Sequence, residues 1–555
     1  MKKIFFTIVF AGLFILTSCD LDYFPNDKIT SEGLEKDPSG ALYATNGNYA
    51  MFKEQLEYRG VSYSGSTYVR HYFQMAEFIG DNVCLAGRTS DPLYEALTYK
   101  RSAELRNITY LWWCGYKIIN GANSVIETVN DGVDAEIDHI KGENYFLRAL
   151  VHFQLSTLWS KPYVLGRDNM GIILRTSANV STTQRSTVGV VYDQIVDDLK
   201  NAIRLMEKGT RRGNAGYVSK EAAQGLLTRV YLYMDKNDEV IKLANDMLAG
   251  ATPESKLEPT ATFPTYFARA LESSETLWAV AHTERESRGA SSLASMYLTD
   301  GVGWGEIYSS DPLNDLYGRY SADVRNQFVK PQYSSTDKHV VRWAIANDDD
   351  FYENDVREVS LDTDNNKYFF TDAGTKIYVE TEMINGYPLN YISYKGEKHR
   401  ARVTLQMYDR YGWPKYYVTK FSYQGGDPML SSPVMLRWAE VILNRAEAYA
   451  KEGETDKALD DVNVIRKRAG LSGNELFSKT NMLGYTNVLD IVLDERRLEL
   501  SFEGHRAFDV YRNKRSLDRR YSGAQPWETI EYTNNKIQYL IPQDEISVSG
   551  IPQNP

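Results

Sequence analysis

The chain has 555 residues, 43% of them hydrophobic and 25% charged. Those proportions fit a globular protein with a large core and exclude a collagen, a disordered polar chain or a polytopic membrane protein. Lys and Arg total 63 against 74 for Asp and Glu, a formal charge of −11, and such a surface repels phosphate backbones, which argues against general nucleic-acid binding.

Taken in chain order, Met1-Lys2-Lys3 is a short basic start and Ile4 to Leu16 an apolar run. The run is too short to span a bilayer comfortably but fits a secretory h-region. It ends in Leu16-Thr17-Ser18-Cys19, which resembles a lipobox. Residues 1–18 are therefore expected to be a lipoprotein signal peptide and Cys19 the site of lipid attachment; the alternative is an ordinary signal peptide with a chance cysteine. No later stretch approaches the ~20 apolar residues of a membrane helix, so the lipid is the expected anchor. Three cysteines are too few for a disulfide framework. Cys84 and Cys114 have no His at zinc-ligand spacing and read as buried free thiols or as one disulfide.

Helical periodicity marks Ala41 to Phe52, Leu111 to Val129, Asp138 to Trp159, Val190 to Met206 and Ser219 to Tyr233 in the region 19–250. Ser219 is a plausible helix start, and Gly209 and Gly250 plausible stops. Residues 251–432 differ: they are rich in Gly, Asp, Asn, Ser and Tyr, with β-prone pieces such as Lys376 to Val379 and Tyr416 to Tyr423. A segment of this kind reads as a loop-rich working surface. In 433–555 the helical pattern returns over Pro433 to Lys451, Thr455 to Ala469 and Thr486 to Phe502. Ile442, Ala446, Tyr449, Ala458, Val462 and Ile465 have the spacing of a tetratricopeptide pair, with Gly453 near the turn.

The ordered motifs resemble the SusD/RagB family of nutrient-binding outer-membrane lipoproteins of Bacteroidetes. They comprise Trp112, Tyr116, Ile119 and Asn123; Glu143, Arg148, Ala149 and Phe153; Tyr192, Ile195, Asp198 and Leu199; Arg437 and Glu440 followed by Arg445-Ala446-Glu447-Ala448. Asn463, Arg466 and Arg468-Ala469-Gly470 follow, then Glu495-Arg496-Arg497, Glu499, Glu503-Gly504, Arg506 and Asp509, and last Ile541-Pro542 and Glu545-Ile546. The resemblance implies a mainly α fold, with tetratricopeptide-like helical pairs forming a superhelical scaffold, an irregular loop-rich ligand-binding face and a few short strands. It also implies a SusC-like TonB-dependent transporter as partner, and an oligosaccharide, polysaccharide or peptide as ligand. No cofactor is implied.

The Glu495–Asp509 cluster could be mistaken for an active site, but acids and bases three or four apart on a helix read as ion pairs that hold structure. No HExxH, G-x-S-x-G or P-loop is present. Asp348-Asp349-Asp350 and Asp362, Asp364, Asn366 both fail the EF-hand pattern, which leaves at most a loosely built calcium site. The expectation is a binding protein without catalysis, although the sequence alone does not exclude a glycosidase that uses paired carboxylates. Sugars bind on exposed aromatic faces beside amides and carboxylates. Gly303-Trp304-Gly305 sets a tryptophan among glycines, with Tyr297, Asp300 and Glu306 nearby; Tyr63, Tyr68, Tyr72, Asp81 and Asn82 form a second polar-aromatic stretch. Trp304, Tyr297, Tyr68, Tyr72, Asp81, Asn82 and Trp113 are thus the candidate ligand contacts, the alternative for each aromatic being to pack under its own loop.

Overall fold

The computed structural model describes residues 38–63, 65–87, 92–99, 102–179, 183–346, 352–384 and 386–555. Cys19, the expected signal peptide and Asp348-Asp349-Asp350 lie outside them. The helices are α1 (Pro38–Ala50), α2 (Tyr68–Phe78), α3 (Pro92–Leu97), α4 (Arg106–Thr128), α5 (Ala135–Trp159), α6 (Val188–Leu205) and α7 (Lys220–Tyr233). They continue as α8 (Asn237–Met247), α9 (Asp311–Tyr317), α10 (Trp438–Lys451), α11 (Thr455–Arg468), α12 (Val488–Glu499), α13 (Arg506–Arg512) and α14 (Gln543–Ser549).

Side chains one residue ahead of the long helices fix their starts. Asp134 accepts from the N–H groups of Glu136 and Ile137 to open α5, Thr187 from Val190 to open α6, and Ser219 from Ala222 to open α7, each satisfying a donor that the helix leaves unpaired. From α4 onward the helices form a packed row: α5 lies against α4 and α6, α7 against α6 and α8, and α10 against α8, α11 and α12. Gly453, at φ 77°, turns the chain between α10 and α11 in a conformation that favours glycine. Ala446 and Ala458 are fully buried there, so this pair meets where the sequence places it.

Helix α5 is buried along most of its length, polar residues included. Arg148 donates to Asp198 of α6 at 2.6 and 2.8 Å and to Asn123 of α4 at 2.8 Å. Glu143 takes Arg212 at 2.6 and 2.9 Å and the Tyr49 hydroxyl at 2.8 Å. These motif positions are cross-helix ties. Helix α2 departs from the expected polar-aromatic stretch: Thr67 caps it, and every residue but Arg70 is buried. Its Tyr, His, Gln and Glu side chains are buried along with the apolar stripe Val69, Tyr72, Phe73 and Ala76.

Residues 251–432 hold more β-structure than the few short strands expected. Seven antiparallel strands, β1 (His339–Ala346), β2 (Tyr352–Asp362), β3 (Lys367–Asp372), β4 (Thr375–Tyr378), β5 (Glu380–Ile384), β6 (Tyr387–Tyr394) and β7 (Glu397–Leu405), form one sheet in the order β4-β3-β2-β1-β7-β6-β5. Tight hairpins at Ala373-Gly374 and Lys395-Gly396, all at positive φ, set the register. One face carries Val341, Trp343, Val359, Phe370, Ile392 and Tyr394 as a core of its own, and the outward positions are largely charged or exposed. The excursion leaves after Val329–Pro331 and returns at Tyr416–Val418, two short strands that pair with each other.

The helical body is closed by buried ion pairs. Arg437 binds Glu275 at 3.0 Å and Glu503 at 2.9 Å, and also Glu499. Arg325 binds Asp323, Glu495 and Glu499 at 2.7, 2.7 and 3.3 Å, Arg466 binds Glu495 at 3.1 Å, Arg468 reaches Glu275 and Glu499, and Lys420 reaches Glu503. Beside them Arg496 and Arg512 share Glu447 and Asp509. Burial alone would raise the Glu499 carboxyl, but the guanidiniums of Arg468, Arg437 and Arg325 outweigh it and hold it well below the usual range. The cluster is structural, as the spacing predicts.

Removing one partner from such a set leaves an uncompensated buried charge. Glu499→Gln is expected to lower unfolding free energy by about 3–5 kcal/mol in denaturant titration, and a loss under about 1 kcal/mol would show the set to be energetically idle. Burial opposes ionisation of Glu447 too, yet Arg512 and Lys451 bring its pKa down to about 2 from 4.5. Its stabilising contribution is therefore complete above pH 4.5 and is lost as pH falls toward 2. Unfolding measured across that window should show a shallower acid dependence in Glu447→Gln than in the native chain.

Candidate functional site

The loop from Thr299 to Glu306 is built on backbone bonds to the short helical turn before it. Trp304 and Gly305 donate to the Ser295 carbonyl at 2.6 and 2.9 Å, Glu306 donates to Met296 at 2.9 Å, and Gly303 donates to Thr299 at 2.6 Å. Only glycine fits at 303, because a Cβ there would stand 1.8 Å from the Leu298 carbonyl oxygen. The loop lifts Trp304 outward at 56% exposure. Its indole N–H donates to the Ala290 carbonyl at 2.9 Å. The polar edge is thus spent on the protein, and what the ring offers to solvent is an apolar face of fixed orientation.

Two further loops join it. Arg410 donates to the Trp304 carbonyl and to Glu306, both at 2.9 Å, and so binds 408–412 to the tryptophan loop. Tyr411, next in the chain, is 75% exposed, and Tyr408 is also exposed. Tyr423, 40% exposed, donates its hydroxyl to Asp300 at 3.0 Å. Asp300, Tyr411 and Tyr423 all have positive φ without being glycine. Backbone strain of this kind, of order 1–3 kcal/mol each, persists where surrounding contacts enforce it and gathers at ligand-binding surfaces. The result is a set of linked loops with four exposed aromatics, Trp304, Tyr408, Tyr411 and Tyr423, and with Asp300 and Glu306 engaged by Tyr423 and Arg410.

Of the candidates from sequence, Trp304 alone is among these exposed aromatics. Tyr297 is fully buried against Phe421 and Phe502, with ring centroids at 5.5 and 6.1 Å. Tyr68 is fully buried in α2 and donates to Gln154 at 2.8 Å; Tyr72, on the same helix, is buried beside Phe73. Asp81 is enclosed: burial would raise its carboxyl, but Arg497 and Arg506 together hold it low, with Arg506 at 2.8 Å. Asn82 bridges Glu77 at 3.0 Å and Arg497 at 2.8 Å. These five residues cannot offer a surface to a ligand, because core packing and buried ion pairs consume them. Trp113 is half-buried, with Tyr58 and Tyr110 as neighbours at 5.1 and 5.7 Å. Tyr408, Tyr411 and Tyr423 escaped the sequence reading, although Tyr411-Gly412 and Tyr423-Gln424-Gly425-Gly426 carry the same aromatic-beside-glycine signal as Trp304.

Among the described residues no group of three or more His, Cys, Asp or Glu side chains is placed to hold a metal ion. Asp362 instead caps a hairpin, where the Tyr378 hydroxyl bonds its carboxylate and brings its pKa to about 2. Cys84 and Cys114 are free and buried, and burial pushes the Cys114 thiol up to about 12.

The contrast between the two aromatics nearest the loop is testable. Tyr297→Ala should cost on the order of 3–5 kcal/mol of stability, as for other large buried aromatics, whereas Trp304→Ala should cost about 1 kcal/mol or less, the range of a surface change that removes one hydrogen bond. Chemical unfolding of both variants checks this, and equal losses would place Trp304 in the core.

Comparison with known proteins follows the same architecture. The model described as the SusD family matches residues 274–550, and a second, described as starch-binding associating with outer membrane, matches residues 74–232. A Formosa agariphila relative named SusD-like protein P38 is 22% identical over 531 residues, covering 92% of this chain and 91% of its own. A SusD superfamily structure from Bacteroides thetaiotaomicron is 24% identical with a TM-score of 0.69, covering 93% of this chain and 99% of that one. A laminarin-binding SusD-like protein is 18% identical with a TM-score of 0.60, covering 94% and 99%. The two family models together reach from within α2 to α7 and from residue 274 to just past α14, and the chain belongs to the SusD family.

Proposed function

We propose that this protein captures a glycan on the Trp304 face and passes it to a SusC-like TonB-dependent transporter in the outer membrane. The observation that carries the reading is the mounting of Trp304: an exposed indole whose only polar group is already bonded, so that its open face suits the apolar C–H face of a sugar ring. The starch-binding description of one matching family model and the laminarin-binding structural relative support the ligand class. The role in this reading is capture rather than hydrolysis, with Asp300 and Glu306, bonded to Tyr423 and Arg410, as hydrogen-bonding groups beside the ring. The row of helices serves as a tetratricopeptide-like scaffold that presents residues 251–432 to the ligand. A lipid on Cys19 tethers the protein at the cell surface; no helix among the described residues is long and apolar enough to cross a membrane.

Trp304→Ala should weaken glycan binding by roughly 1–3 kcal/mol, about ten- to a hundredfold or slightly more, while leaving unfolding nearly unchanged. Isothermal titration against a glycan panel and a peptide pool tests this; binding of peptides alone would reassign the ligand class, and glycan affinity unchanged in the variant would remove Trp304 from the site. Cys19→Ala should leave the outer-membrane fraction. Its recovery there at native levels would defeat the anchor.

A further inference from the structure

A groove of about 870 Å³ opens between the seven-stranded sheet and the segment 518–527. A second cleft of about 420 Å³ lies on the α9 side of β6 and β7, and Arg400 and Arg402 of β7 line both. The groove has an aromatic wall: Tyr352 and Trp527 stack with centroids 3.6 Å apart and planes 16° apart, both half-buried. Its charge runs against that of the chain. Counting Lys and Arg against Asp and Glu, six cations face five carboxylates in the groove and four face two in the neighbouring cleft, while the whole chain carries 63 against 74.

The guanidiniums there are only partly spent. Arg400, 46% exposed, gives one nitrogen to Asp315. Arg402 gives Nη1 to Asp311 and Nε to Asp315 and keeps Nη2. Arg342 is buried with both terminal nitrogens on Asp311, and its Nε has no partner. The aspartates therefore position the arginines and leave the remaining guanidinium nitrogens of Arg400 and Nη2 of Arg402 for a further anion. A bare anion would gain nothing from the stacked aromatic wall, and a neutral sugar would leave these donors to water. An acidic sugar uses both. The Asn354 amide donates to the Gly412 carbonyl at 3.2 Å, next to Tyr411, which joins the strand bordering the groove to the linked loops.

We infer that this groove is a subsite for the acidic substituent of a charged glycan, a uronate carboxylate or a sulfate ester, with a sugar ring on the Tyr352–Trp527 stack and the anion at Arg400 and Arg402. This assignment rests on glycan capture at the Trp304 face. It is tested by titrating the full chain with galacto-oligosaccharides of equal length, one neutral, one uronic and one sulfated. At least one acidic probe should bind about tenfold tighter than the neutral one, a difference of about 1.4 kcal/mol, and the advantage should shrink as salt rises. Arg400→Gln and Trp527→Ala, each verified as folded by thermal unfolding, should abolish it, and the acidic probe that binds tells carboxylate from sulfate. Equal affinity for acidic and neutral probes, an acidic advantage untouched by both variants, or no binding by any probe would overturn the subsite. Neutral binding lost in Trp304→Ala, with no acidic advantage, would remove the groove and leave capture at Trp304 standing.

Discussion

The buried guanidinium of Arg437 is the point on which the helical body closes. It meets Glu275 from the middle of the chain, Glu499 at the end of α12 and Glu503 in the turn before α13. Through Glu499 the contact extends to Arg325 and Arg468, through Glu495 to Arg466, and through Glu503 to Lys420. With Asp323 on Arg325 included, five cations meet five carboxylates, and each lies out of water. Desolvating so many charges is costly unless each is paired and hydrogen-bonded, so the set forms together or not at all. Segments far apart in sequence must arrive in one arrangement, which serves specificity of the fold more than raw stability.

Much of this was legible in the residues. The pattern around Glu495 to Asp509 reads as ion pairs because acids and bases recur at helical spacing, and α5 to α7, α10 and α11 follow from apolar periodicity, with Ser219 in front of α7. The sheet was harder. Its strands carry Lys, Glu, Thr and Asp on the outward face, and its apolar residues are spread thinly over seven strands that only pairing brings together. The glycines after Ala373, Lys395 and Asn385 are hairpin signals that composition buries among many other glycines. Helix α2 was readable from Val69, Tyr72, Phe73 and Ala76 at helical spacing, but its Tyr, Gln and Glu side chains drew it into the polar-aromatic stretch.

The site divides along the same line. Trp304 could be read from its flanking glycines because exposure there is a local property: the loop has no bulk with which to bury the ring. Tyr297 and Tyr68 look equivalent in sequence, but their burial depends on Phe421, Phe502 and Gln154, which arrive from distant parts of the chain. Asp81 and Asn82 resemble hydrogen-bonding groups for a ligand, and Arg497 and Arg506 claim them first. What local sequence does not carry is the identity of partners that come from far away.

The sheet leaves the body after Val329–Pro331 and returns at Tyr416–Val418, where the two ends pair directly, Val329 opposite Val418 and Pro331 opposite Tyr416. Everything between is a closed excursion with its own apolar centre, carrying β7 and Tyr411 at the working side. The hairpin turns of such an insert can lengthen or shorten without rethreading a single helix, because its two ends already meet. What such changes must keep is the paired base and the flank seated on the helical body, where Arg342, Arg400 and Arg402 meet Asp311 and Asp315 and Arg410 meets Glu306.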